Sequence, residues 1–249
     1  LVVSFATMNA MPSDTLLAAM LQEAVLALVA LVAVRFAVPD VLKRCTQAVQ
    51  QRNTVRFAAI ALLLTGLIGG TVTLLTWLFA DGGNVSGFVS AALPLAAGLI
   101  RNLLLLLGIC LLTGVYEEAF MRVLGIEAFE RALDTKRAIL ASAALFALLH
   151  VGAPDVSAGQ LVLLQTALKF GQALLFGVIL GALYARTRRL WPCAFIHAGF
   201  DILYMAPNVL LTGTMPETYA SGAVGDTVLL AVSVLMLSGI VLKIRKEIA

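Results

Sequence analysis

Glu117 and Glu118 open the stretch Glu-Glu-Ala-Phe-Met-Arg, an EExxxR pattern that ends at Arg122. Glu118 and Arg122 stand four residues apart, one helical turn, so they can pair through a charge-assisted contact. A bidentate contact there suits the planar fork of arginine and not lysine. Glu117 projects about 100° away from that face, lacks a local partner, and is free to act on something else. Further along, Phe146-Ala-Leu-Leu-His150 runs up to Gly152-Ala-Pro154, and His197 with Asp201 forms HxxxD on one helical face. These are the only two histidines of the chain, and both fall in apolar segments. A carboxylate can take a proton from water, and imidazoles can position that water or stabilise a tetrahedral oxyanion, which together are what peptide hydrolysis needs. Glu117, His150 and His197 also make a zinc set, with water completing the coordination. The chain has no HExxH segment and no nucleophile elbow, so a covalent acyl-enzyme is not indicated.

The elements that carry these residues are membrane helices. Hydrophobic residues are 61% of the chain and charged residues 12%, against about 25% charged in globular domains, and a soluble fold so apolar could not cover its surface. Apolar runs near 15–34, 55–79, 88–112, 138–151, 161–185, 191–211 and 226–243 approach the roughly 20 residues that cross a bilayer, 138–151 being short. The stretch 113–131 is helical in pattern but too polar to face lipid; it either prolongs the third segment or packs as a separate helix inside the bundle. The expected fold is all-α: a polytopic transmembrane helical bundle of seven to eight helices with the active site inside it. It forms a single integral membrane domain over residues 1–249, with the motif core at about 113–208. At about 1.5 Å per residue, His197 and His150 both fall toward mid-bilayer.

Charge placement gives an orientation. Arg35, Lys43, Arg44, Arg52 and Arg56 surround the first connection; Arg131, Lys136 and Arg137 another; Arg186, Arg188 and Arg189 a third; Lys243, Arg245 and Lys246 the C-terminus. The connections between carry only Asp81, Asp155, Glu217 and Asp226. Fourteen of the seventeen basic residues thus lie in alternate connections, the positive-inside pattern, with the C-terminus cytoplasmic and an odd number of crossings. The Ala/Leu/Val bias suggests a bacterial inner membrane. Cys45, Cys110 and Cys193 are too scattered for a metal finger or a disulfide framework and read as small apolar residues. The segment before residue 15 lacks a basic stretch and holds Asp14, so no secretory signal is expected there, and Met8 is a candidate initiator with residues 1–7 an upstream extension.

Three further ionisable groups, Glu23, Arg101 and Lys169, stand alone in apolar segments; each is expected to pair structurally between helices, because one isolated charge carries no reaction logic. EExxxR, FxxxH and Hxxx(N/D), in that order on separate membrane helices, resemble the CPBP family, the CAAX-type prenyl endopeptidases with their bacteriocin-processing and immunity relatives. The resemblance covers about residues 113–208. It implies that Glu117 and His150 activate water, that His197 and the residue at Asp201 stabilise the oxyanion, and that Glu118 and Arg122 support the site. Many members have Asn where this chain has Asp201, so Asp201 either donates when protonated or orients His197. The family includes proteins described as metalloproteases and as metal-independent glutamic peptidases; the glutamic reading is favoured here, with no cofactor, because no histidine follows the glutamates at helical spacing. Expected partners are the bilayer and a membrane-associated protein or peptide carrying a lipidated C-terminus, a sorting tag or a leader; no nucleic acid is expected. Two other readings stay open: a catalytically silent immunity or scaffold protein, and a proton- or ion-coupled transporter, which the absence of an internal repeat disfavours.

Overall fold

The computed structural model describes residues 15–43, 52–80, 96–151, 159–215 and 220–248. Among them every regular element is helical: α1 (Thr15–Ala37), α2 (Pro39–Lys43), α3 (Arg52–Ala80), α4 (Ala96–Glu118), a π-helix (Ala119–Ile126), α5 (Glu127–Phe129), α6 (Thr135–Val151), α7 (Gln160–Thr187), α8 (Leu190–Thr212) and α9 (Val224–Ile248). Among the described residues six helices are long and apolar enough to cross a membrane, and α6, at 17 residues, is shorter than these. The polar stretch after residue 112 prolongs the third segment: α4, the π-helix and α5 form one span over Gly98–Phe129. No eighth helix is needed among the described residues. Residues 88–95 of the third expected run, Cys45, Asp81, Asp155 and Glu217 lie outside them.

In hydrocarbon each backbone amide must bond within its own segment, so helix is the only open-chain solution. Side chains then divide by what they meet. Leu28, Phe36, Ile100, Leu104, Leu148 and Leu235 stand exposed as the apolar outer surface of an integral membrane protein, while small residues line the helix contacts. The central helix α8 packs on α4 and α3; α7 packs on α6 and α9. Without a hydrophobic drive between helices in lipid, close van der Waals approach supplies the association. Gly114 of α4 is such a point, since a Cβ there would stand 2.5 Å from the Ala194 carbonyl oxygen of α8. Gly66 of α3 is another, where a Cβ would lie 2.7 Å from the Phe200 carbonyl oxygen. Buried Cys110 and Cys193 are free thiols in these contacts.

Two basic side chains near helix ends make contacts between elements. Lys243 of α9 lies 4.7 Å from the ring centroid of Phe57 on α3, and Arg188 reaches from the two-residue turn between α7 and α8 to Glu130 beyond α5. Arg188 holds φ 50°, the left-handed region, which costs a non-glycine residue about 1–3 kcal/mol. The turn is fixed by what its side chain does: Nη1 and Nη2 donate to the two Glu130 carboxylate oxygens at 2.6 and 2.7 Å, and Nη1 also to Glu127 at 3.1 Å.

That Arg188 contact holds the Glu130 carboxyl below its ordinary value of 4.5. A depressed folded-state pKa means the stabilisation is complete above the unfolded value and is lost as pH falls through the folded one. The melting temperature of wild type should therefore drop as pH falls below 4.5, and Glu130→Gln should show a shallower acid decline over the same window. Parallel declines would contradict the contact's contribution.

Candidate active site

The α4 helix ends at Glu118 and passes straight into the π-helix, whose i→i+5 bonding widens the turn and often marks a functional site. Ser142 of α6 steadies this irregular turn by donating its hydroxyl to the Met121 carbonyl oxygen at 2.5 Å. Within it, Arg122 and Glu118 are both fully buried, and Arg122 Nε lies 3.0 Å from Glu118 Oε2. The expected pair exists, but it is not bidentate. Only Nε approaches the carboxylate, off the line of a straight hydrogen bond, and the two η nitrogens bond to none of the described residues. The guanidinium instead lies over the Phe146 ring, 4.7 Å from its centroid. The fork is unused because the second Glu118 oxygen has another task.

Glu118 Oε1 accepts a hydrogen bond from His197 Nδ1 at 2.9 Å. One buried carboxylate thus joins the π-turn to α8, across the seam that Gly114 and Ala194 keep narrow. Since the carboxylate can only accept, His197 carries a hydrogen on Nδ1 and turns Nε2 the other way. That nitrogen lies 3.6 Å from Glu117 Oε2 and 3.4 Å from Asp201 Oδ2. Glu117 is therefore not without a neighbour: besides His197, the Tyr116 hydroxyl donates to its Oε1 at 3.2 Å. Its Oε2 is buried and accepts no hydrogen bond from the described residues, an orphaned acceptor aimed at the histidine.

His150 ends α6 on the far side of Phe146, whose ring centroid is 4.2 Å from its own. Its Nδ1 donates to the Phe146 carbonyl oxygen at 2.9 Å, which leaves Nε2 as the acceptor nitrogen of the neutral ring. His150, His197 and Asp201 line one cavity of about 40 Å³ with Phe176, Lys169 and Gln172 of α7, room enough for water at roughly 10–15 Å³ per molecule. Phe176 sets its ring against His197 at 4.8 Å. Glu117 and Asp201 each approach the same nitrogen of His197; His150 reaches the group through the cavity.

Two residues expected to pair structurally also stand beside this site. Lys169 lines the cavity, and Glu23 of α1 accepts a hydrogen bond from Thr113 close enough to Glu117 and Asp201 to interact with both. Sequence spacing could have found Lys169: it shares a face of α7 with Gln172 and Phe176, at i, i+3 and i+7. Glu23 has no such signal, because only the packing of α1 on α4 brings it in. For the zinc set, His197 has Nδ1 committed to Glu118 and Nε2 turned to two carboxylates. No three His, Cys, Asp or Glu side chains among the described residues are placed as a metal-ligand group.

A model of one protein family matches residues 99–203, the span from α4 through the HxxxD turn, under the description type II CAAX prenyl endopeptidase Rce1-like. No curated protein and no solved structure matches. The matched span contains the EExxxR, FxxxH and HxxxD motifs whose side chains meet inside the bundle, so this part of the chain is similar to the type II CAAX prenyl endopeptidases.

Proposed function

We propose that this protein hydrolyses a peptide bond of a membrane-associated substrate without a metal ion, using Glu117 as the base. The observation that carries the reading is the orphaned Glu117 Oε2, buried beside His197 Nε2 at 3.6 Å. A water held there and by the acceptor nitrogen of His150 gives its proton to Glu117 as its oxygen attacks the scissile carbonyl carbon. The carbonyl oxygen becomes the oxyanion, and His197, entering the reaction as an imidazolium among its three carboxylate neighbours, donates to it from Nε2. Glu118 stands behind that ring as the carboxylate that fixes its orientation, as such partners do for working histidines. Of the two roles open to Asp201, the 3.4 Å approach to His197 Nε2 supports orienting the imidazole. When the C–N bond breaks, Glu117 returns its proton to the leaving amine, so the products are a carboxylate and a free amine.

The substrate class we propose is a peptide segment near a lipidated or hydrophobic C-terminus, a sorting tag or a leader, in a bacterial inner membrane. Buried ionisable groups would equally serve a proton relay, but the family matched at residues 99–203 favours hydrolysis over transport or silence. We also propose that the basic connections and the C-terminus are cytoplasmic, from the positive-inside alternation. Cysteines introduced one at a time at 134, 188 and 249 should be protected from a membrane-impermeant thiol reagent in intact cells. Labelling at two of them would reverse the topology.

Purified Glu117→Gln should stay folded and lose at least ~10²-fold in turnover, the low end for removing a general base. His150→Ala and His197→Ala should be similarly impaired, and prolonged chelator treatment should leave wild type active. Full activity in Glu117→Gln would remove it as the base. Loss on chelation with recovery on added zinc would overturn the metal-free mechanism, and unchanged phenotypes in all three variants would point to a scaffold or immunity protein.

A further inference from the structure

The reaction has one charge too many for the residues so far assigned. His197 is within 3.6 Å of three carboxylates, Glu117, Glu118 and Asp201, and Arg122 is already engaged with Glu118. An oxyanion growing beside His197 would face the Asp201 carboxylate, and like charges in a water-poor site repel strongly. The remaining cation on the cavity wall is Lys169. Its ammonium is held in place: Nζ donates to Gln172 Oε1 at 3.0 Å, and Gln172 Nε2 donates to the Tyr204 hydroxyl at 3.0 Å. That chain ties α7 to α8, and Gln172 is itself 3% exposed. Lys169 and Asp201 line the same cavity.

We propose that Lys169 is a positioning residue of the hydrolytic site: its ammonium offsets the Asp201 carboxylate across the cavity, so that the oxyanion can form beside His197. The inference rests on the endopeptidase reading above and adds a residue outside the three motifs. It makes Asp201 and Lys169 one functional unit, contributed by neighbouring helices and readable only together.

The test is a double-mutant cycle in the purified full-length protein, with Lys169→Met, Asp201→Asn and the combination. Lys169→Met should lower kcat by at least ~10-fold with KM within ~3-fold, the pattern of a contact felt mainly in the transition state. Lys169→Arg should restore most of kcat. In the Asp201→Asn background the same lysine removal should cost less than ~3-fold, because the charge it offsets is gone. Binding of a phosphinate peptide, an anionic tetrahedral analogue, should weaken in Lys169→Met about as much as kcat falls. Lys169→Gln keeps a donor for Gln172 and serves as the second variant if the methionine protein does not fold. Equal losses in both backgrounds, or loss in KM alone, would overturn the inference while leaving the Glu117 base untouched. Activity surviving in Glu117→Gln would remove the base and leave the Lys169–Asp201 coupling measurable.

Discussion

Everything at this site depends on a buried carboxylate that cannot be left uncompensated. Glu118 is fully buried, and an ion stripped of water inside a bundle is tolerated only with partners that restore what solvation gave. One oxygen takes Arg122 and the other takes His197. The first partner lies on the same helix and sets the π-turn. The second lies on α8 and ties the two helices across a seam where Gly114 leaves no room for a side chain. With Glu118 fixed, His197 has one tautomer and one direction, and its free nitrogen turns to Glu117 and Asp201. The chemistry proposed for Glu117 is thus set by the residue next to it.

Phe146 is the second organising group, and its importance is steric. Its ring carries the Arg122 guanidinium at 4.7 Å and the His150 ring at 4.2 Å, and meets His197 edge-on at 6.1 Å. An aromatic face favours cations, about 0.5–2 kcal/mol depending on desolvation, which offsets part of the cost of burying Arg122 with only one atom against Glu118. The Phe of FxxxH is thereby a wall shared by the support pair and both histidines.

Much of this was legible beforehand, and the reason is the membrane. Apolar length located the helices because hydrocarbon allows few alternatives, and the motif residues stood out because charge is costly there. The i, i+4 spacing of Glu118 with Arg122 and of His197 with Asp201 likewise transferred to contacts. What was not legible depended on relations between helices. The π-turn has no sequence mark, so the pair looked bidentate when Glu118 was divided between two partners. Glu23 looked structural because it is alone in its own helix and only the packing of α1 on α4 brings it to the site, whereas Lys169 shares with Gln172 and Phe176 a face of α7 that spacing could have shown.

Thermal unfolding of the purified protein, comparing Arg122→Met with the Glu118→Gln/Arg122→Met pair, tests the central claim most directly. Breaking a buried pair from one side costs about 3–5 kcal/mol, so Arg122→Met should melt far below wild type. In the double variant the glutamine oxygen still accepts the His197 proton and no buried charge is stranded, so most of the melting temperature should return. A double variant as unstable as the sum of its single changes would mean that Glu118 is not the charge around which the site is built.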